Sequence, residues 1–249
     1  MQNLTKTFPA KSPAERERIR KDFYRHFLDL AIESLKTSGM SREQMKRRYR
    51  IRNPELIDEI TRSGQSVILQ SSHYANWEWS LSLNMYLHSP GYAVYTKINN
   101  PYIEKYMIRS RARFGARLVV RSDIIKLIKE HHDKKVAAVY GFLSDQSPQL
   151  HKANYWTDFL GVRVPVHTGA EMLAKRYNLA WVYMHVRKVK RGYYEVKFEK
   201  ITTRPGDFPD YKLTDLYLEM TGKDIREAPQ YYLWTHNRFK HEGKENLSQ

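Results

Sequence analysis

The sequence predicts an α/β fold: a single domain with a mainly parallel, mixed sheet flanked by helices, preceded by an N-terminal helical segment. Three observations predict it. Apolar runs of strand length alternate with helix-period stretches after residue 65, the pattern of strands buried on both faces. The 249 residues are 41% hydrophobic and 28% charged, a globular composition long enough for one sizeable core. No internal repeat, low-complexity tract or Gly/Ser linker divides the chain. Residues 1–65 are therefore read as a helical segment, and residues 66–249 as the core with which it packs as one domain.

The elements follow in order. Ser12 suits a helix cap, Pro13 the first helical position, and Glu15 completes a capping box. Ile19, Phe23, Phe27, Leu30 and Ala31 recur at helical spacing, which predicts an amphipathic helix to about Lys36, stopped by Gly39. Ser41-Arg42-Glu43-Gln44 repeats the capping pattern for a short basic helix, and Asn53-Pro54 starts another that ends near Gly64. Residues 67–70 read as a buried strand, 77–87 as a helix and 92–97 as a strand. A helix from Pro101 ends at Gly115. A strand at 117–120 and a helix at 123–131 capped by Ser122 follow. Residues 136–143 are a strand, and a loop with Pro148 and His151 comes next. Residues 168–177 are helical, 181–186 and 193–198 form a β-hairpin around 190–192, and 212–226 form the last helix.

Charge and composition narrow the function. The 43 Lys+Arg against 27 Asp+Glu give +16, which points to an anionic partner: nucleic acid, an anionic membrane face or an acidic protein. The cations cluster at Lys46, Arg47, Arg48, Arg50 and Arg52, at Arg109, Arg111, Arg113, Arg117 and Arg121, and at Arg187, Lys188, Lys190 and Arg191. Cysteine is absent, which rules out disulfides, thiolate metal sites and a Cys nucleophile. No apolar run approaches the ~18–20 residues of a membrane-spanning helix, and residues 1–10 have no apolar stretch of a signal peptide. Gly-x-Ser-x-Gly, His-Glu-x-x-His, Gly-x-Gly-x-x-Gly and P-loop patterns are all missing, so a serine hydrolase, a zinc protease, and dinucleotide or ATP use are unsupported. No metal and no cofactor is expected. The 18 Tyr and 5 Trp keep a nucleic-acid reading open, but no zinc finger or other nucleic-acid signature supports it.

The segment with chemistry in it is Ser71-Ser72-His73-Tyr74-Ala75-Asn76-Trp77-Glu78-Trp79, between the first buried strand and a helix. Ligands of open α/β sheets bind at the carboxyl ends of strands, where this segment sits. His73 and Glu78 are five apart, which on one helix separates them by about 140°. They meet if His73 lies on the loop and Glu78 in the first helical turn, with Asn76 as N-cap. The helix N-terminus then favours an ionised Glu78. A carboxylate that accepts from one imidazole nitrogen fixes the tautomer and leaves the other nitrogen as base. The structural alternative for His73 is a satisfied histidine at a strand end.

His73-Tyr74-Ala75-Asn76-Trp77-Glu78 resembles the His-x4-Glu motif of the lipid A biosynthesis acyltransferases of the lauroyl/myristoyl type, within the lysophospholipid acyltransferase superfamily. That family typically carries Gly where Ala75 stands. Asn99-Asn100-Pro101 with Arg111-Ala112-Arg113-Phe114-Gly115 looks like its Asn-Pro and Arg-x-Arg-Phe-Gly block, and Asp145-Gln146 like its Asp-Gln element. Phe159-Leu160-Gly161 resembles Phe-Phe-Gly, and the segment from Pro229 through Trp234, His236 and Arg238 to Lys240 resembles its terminal motif. The likeness covers almost the whole chain.

The resemblance implies transfer of a fatty acyl group from a thioester co-substrate, acyl carrier protein or coenzyme A, to a hydroxyl of a lipid acceptor. His73 is the expected base and Glu78 its orienting acid. Arg111, or its neighbour Arg113, is expected to serve the oxyanion or an acceptor phosphate. Asn76 is expected to shape the turn, and Asp145 and Gln146 to support the site. The expected acceptor is an anionic lipid A precursor, with a phospholipid, glycolipid or aminolipid as the alternative. A non-catalytic basic protein of membrane surfaces or nucleic acids is the rival. An acidic carrier protein and an anionic membrane surface both match the +16. Family members usually begin with a membrane-spanning helix, and Asn3-Leu4 with Phe8-Pro9 resembles the segment after it. The expectation is a peripheral enzyme on the cytoplasmic face of the bacterial inner membrane, or else a truncated sequence.

Overall fold

A computed structural model describes residues 1–97 and 99–247 of the chain. The N-terminal region is helical, with α1 (Gln2–Thr7), α2 (Pro13–Thr37), α3 (Arg42–Arg48) and α4 (Glu55–Arg62), interrupted by a three-residue strand β1 (Tyr49–Ile51). Strand–helix alternation follows: β2 (Val67–Ser71), a 3-10 helix (Glu78–Met85), β3 (Gly91–Tyr95), α5 (Pro101–Ala112), β4 (Arg117–Val120), α6 (Ile124–Asp133) and β5 (Val139–Leu143). A small hairpin of β6 (Trp156–Phe159) and β7 (Val162–Pro165) precedes α7 (Gly169–Tyr177), β8 (Ala180–Lys190), β9 (Tyr193–Thr202) and α8 (Lys212–Glu227).

Among the described residues, seven strands form one sheet in the order β1-β9-β8-β2-β5-β3-β4. Every neighbouring pair is parallel except the β8–β9 hairpin, so the sheet is mainly parallel and mixed as expected. Strand β2 is central, and all five of its residues are buried because elements cover both faces. It pairs with β5 in a register that sets Ser71 against Leu143. Both strands therefore end at the same edge, and the chain leaves them side by side. The N-terminal region shares the core: Phe23 of α2, Tyr49 of β1 and Ile57 of α4 belong to one buried cluster with Ile68, Trp181 and Leu213.

The capping boxes at Ser12 and Ser41 are both formed. Four features differ from the sequence reading. Helix α2 buries Phe23, His26, Leu30 and Glu33, while Phe27 and Ala31 lie on its exposed side. Burial of His26 and Glu33 is tolerable because each finds hydrogen-bond partners inside. The helix expected over residues 77–87 is the shorter 3-10 helix. Strand β1 is too short to show a period, yet it completes the sheet beside β9. The Phe159-Leu160-Gly161 segment is a hairpin corner, with φ of 55° at Leu160 and 82° at Gly161, the two positive values of a type I′ turn.

Ile68 has no exposed surface in the central strand, so Ile68→Ala is expected to cost about 2–5 kcal/mol. The check is a lower urea midpoint at an unchanged denaturant slope.

Candidate active site

His73 and Asp145 leave the ends of β2 and β5, and the parallel register brings them together. Nδ1 of His73 lies 2.9 Å from Oδ1 of Asp145, and the backbone N–H of His73 donates to the same oxygen at 3.1 Å. Asp145 is 1% exposed, so water does not stabilise its charge and these contacts must. Burial alone lifts its carboxyl, but the charge of His73 and the bonds from its ring and backbone hold it below the ordinary carboxylate value. Burial pushes His73 down, whereas the charge and hydrogen bond of Asp145 and the charge of Glu78 outweigh it, leaving the imidazole above its ordinary value of 6.5. An ionised Asp145 keeps the proton on Nδ1 and leaves the lone pair on Nε2. The Trp77 ring packs against the imidazole in a T-shaped contact, with centroids 5.4 Å apart.

The loop after His73 is pinned from two sides. Its outer side pairs with the C-terminal segment: Ala75 N–H donates to Tyr231 O at 2.9 Å, and Leu233 N–H to His73 O at 3.0 Å. Its inner side meets α2. His26 Nε2 donates to the carbonyl of Ala75 at 3.3 Å, and Asn76 Nδ2 donates to Glu33 Oε2 at 2.7 Å. Asn76 Oδ1 accepts from Trp79 N–H at 3.0 Å across the turn into the 3-10 helix, whose N-cap position is Trp77 rather than Asn76. Ala75 has φ of 50°, left-handed backbone that a side chain adopts at a cost.

Glu78 is not bonded to His73. Arg111, in the last turn of α5, takes its carboxylate in a bidentate clasp: Nη2 donates at 2.9 and 3.1 Å, and Nε at 3.2 Å. The carboxylate bonded to the His73 ring is thus Asp145, just beyond the neighbouring strand β5, while Glu78 pairs with the arginine. The two arginines make different contacts. Arg113 is exposed and donates to the carbonyl of Met40 at 3.0 Å, away from the site.

His73, Glu78, Arg111 and Gln146 line one cavity of about 690 Å³. Its other walls include Ala93, Leu118 and Val139 from the sheet, and Ile124, Met172 and Leu173 from α6 and α7. The site therefore joins a polar end, which carries a base and a cation, to a mostly apolar chamber. Sequence reasoning missed His167 and Arg121, which also line it. Burial and the cations Arg121 and Arg238 push His167 down to about 4, so it is neutral near pH 7. The terminal segment carries two further contributors. His236 Nε2 accepts from Ser147 N–H at 3.1 Å, and buried Arg238 donates to Ser147 Oγ and to Pro165 O, each at 3.2 Å. Tyr232 and Trp234 are buried, so this segment docks by its aromatics and in doing so holds both site loops. Among the described residues, no group of three or more His, Asp or Glu side chains is placed to hold a metal ion.

Comparisons with known proteins agree with the motifs. Residues 1–241 match the family model of the bacterial lipid A biosynthesis acyltransferases. The lipid A biosynthesis palmitoleoyltransferase of Escherichia coli (strain K12) is 23% identical over 240 residues, covering 96% of this chain and 76% of that protein. The lipid A biosynthesis lauroyltransferase of the same organism is 24% identical over 245 residues, covering 96% and 77%.

The backbone at position 75 gives a stability test of the loop. Ala75→Gly exchanges a buried methyl for relief of left-handed strain and is expected to stay within about 1 kcal/mol of the parent. Ala75→Val adds β-branching and bulk at a fully buried left-handed site and should cost more than about 2 kcal/mol. Thermal unfolding of the two variants separates these outcomes.

Proposed function

This chain belongs to the bacterial lipid A biosynthesis acyltransferase family, and we propose that it moves a fatty acyl group from a thioester donor to a hydroxyl of a lipid A precursor. The observation that carries this reading is the His73–Asp145 pair at the wall of a cavity otherwise lined mainly by apolar side chains. His73 Nε2 takes the acceptor's hydroxyl proton as the oxygen attacks the thioester carbonyl. The tetrahedral oxyanion collapses with cleavage of the C–S bond, and the thiol leaves with the proton that the imidazolium returns. Asp145 keeps the ring in the tautomer this needs and supports the imidazolium that forms. Arg111, steadied by Glu78, supplies fixed positive charge for the oxyanion or an acceptor phosphate. Gln146 stands beside them in the wall. The apolar chamber takes the acyl chain.

The donor is acyl carrier protein or acyl-coenzyme A, both anionic and suited to a chain of net charge +16. The place of work is the cytoplasmic face of the bacterial inner membrane. No described helix is long and apolar enough to cross a membrane. No cofactor beyond the thioester co-substrate enters the mechanism.

The test is acyl transfer in vitro, read by mass spectrometry, with each thioester donor offered a lipid A precursor, a phospholipid or a glycolipid. Transfer to the lipid A precursor, falling by about 10²–10⁴ in His73→Ala, is expected. Unchanged transfer in that variant overturns the mechanism, and preference for another lipid overturns the acceptor. The base acts when neutral, so the rate should rise with pH through a His73 value lying above 6.5. Asp145→Asn removes the charge that raises it, so the rising limb should move to lower pH while the plateau falls. Arg111→Ala should lower the rate by about 10²–10³, whereas Arg113→Ala should change it by no more than about threefold.

A further inference from the structure

Helix α2 is built inside out. Its inner face carries the polar His26 and Glu33 beside Phe23 and Leu30. Its outer face carries Tyr24, Phe27, Leu28, Ala31, Ile32 and Leu35, all exposed. At 100° per residue these six fall within an arc of about 140°, and at 1.5 Å per residue the stripe runs about 17 Å. Leu28 is 63%, Ile32 45% and Leu35 66% exposed, values that water alone does not favour for aliphatic side chains on three successive turns. The stripe is not ragged. Arg25 and Lys36 border one side of it and Lys21 its N-terminal end, all exposed.

Helix α5 continues the surface. Tyr102 is 84% exposed and Tyr106 41%, and exposed Lys105 and Arg109 share their helical face. The two helices meet in a crevice lined by Ser34 and Thr37 of α2 and by Tyr106 and Ser110 of α5, and the same crevice reaches Glu78 and Arg111 of the candidate active site. Apolar centre, basic border and tyrosines at the margin form the side-chain distribution of a helix lying in a bilayer interface. The cations attract anionic headgroups, and the leucines and isoleucine enter the acyl boundary.

We propose that the outer faces of α2 and α5 form the docking surface on an anionic lipid bilayer, which brings the mouth of the active site against the membrane. The proposal rests on the reading above that the acceptor is a membrane lipid, but docking is measured without turnover. The 249-residue chain is sedimented with large vesicles of phosphatidylglycerol and phosphatidylethanolamine, and in parallel with vesicles of phosphatidylcholine alone. Preferential binding to the anionic vesicles is expected, weakened by added salt. The double variant Leu28→Ser/Leu35→Ser should reduce that binding by roughly tenfold or more at an unchanged melting temperature, and should keep its activity on a detergent-dispersed acceptor. His73→Ala should bind vesicles like the parent, so a failed acyl-transfer assay leaves this test standing. Equal binding to neutral vesicles, or a double variant that binds like the parent, overturns the proposal. So does light scattering that shows a dimer of the parent and a monomer of the variant, which would make a second copy the occupant of this face.

Discussion

Asp145 is a carboxylate removed from water, and the site is organised around the need to compensate it. An isolated buried carboxylate costs many kcal/mol in charged form, so it persists only with partners. His73 gives it two bonds at one oxygen, from ring and backbone. Arg238, itself without exposed surface, adds positive charge that favours the ionised form, although its own hydrogen bonds go to Ser147 and Pro165. Those bonds explain why a segment 90 residues further along the chain returns to the site. It must bring the cation and fix the loop on which the acid stands. The same segment reaches the other loop through Leu233 and Tyr231, so acid and base are held by one strap. A parallel sheet makes this economical, because only the register of two adjacent strands has to be right for the two side chains to meet.

Much of the fold was legible because its strands are short apolar runs between helix caps and glycines. The strand at Arg117–Val120 and the capping box at Ser12 were read to the residue. The location of the site was legible too, since His73 follows a buried strand directly. The partner of His73 was not. Spacing along the chain favours Glu78, whereas the distance that matters runs across the sheet to Asp145, and strand order cannot be computed from periodicity. Glu78 found Arg111 instead because a guanidinium offers two parallel donors to a carboxylate and an imidazole nitrogen offers one. Helix α2 misled for a related reason. Its apolar residues are plentiful enough to suggest several faces, and the inner one was decided by where His26 and Glu33 could be satisfied.

That choice gives α2 two roles at once. Through Glu33 it holds Asn76, and through His26 the carbonyl of Ala75, both in the loop that carries the base. Burial and the neighbouring charge of Lys188 push His26 down to about 4, so it is a neutral donor near pH 7 rather than a competing cation. Lys188 donates to its other nitrogen at 3.1 Å and pairs with Asp29 at 3.2 Å, which fixes the His26 tautomer. The helix that presents apolar side chains outward is thus the helix whose inward polar groups set the loop that follows His73.

The charge excess takes on a different meaning once the cations are placed. The cluster at 187–191 looks like a patch in the sequence, yet Arg187 pairs with Glu195, and Lys188 and Arg191 both pair with Asp29. Arg52 is also taken by Glu195, and Arg48 lies over the Tyr193 ring at 4.9 Å. These side chains brace the end of the β8–β9 hairpin against the N-terminal helices, two cations sharing each carboxylate, so part of their charge is used within the protein. Runs of basic residues therefore do not locate the anionic partner. Among the exposed cations, Lys21, Arg25 and Lys36 lie beside the apolar stripe of α2 and Lys105 and Arg109 stand with Tyr102 on α5, next to the crevice that reaches Glu78 and Arg111. Long-range attraction needs only net charge, but orientation needs charge set around a hydrophobic centre, and in this molecule that combination occurs where the site opens.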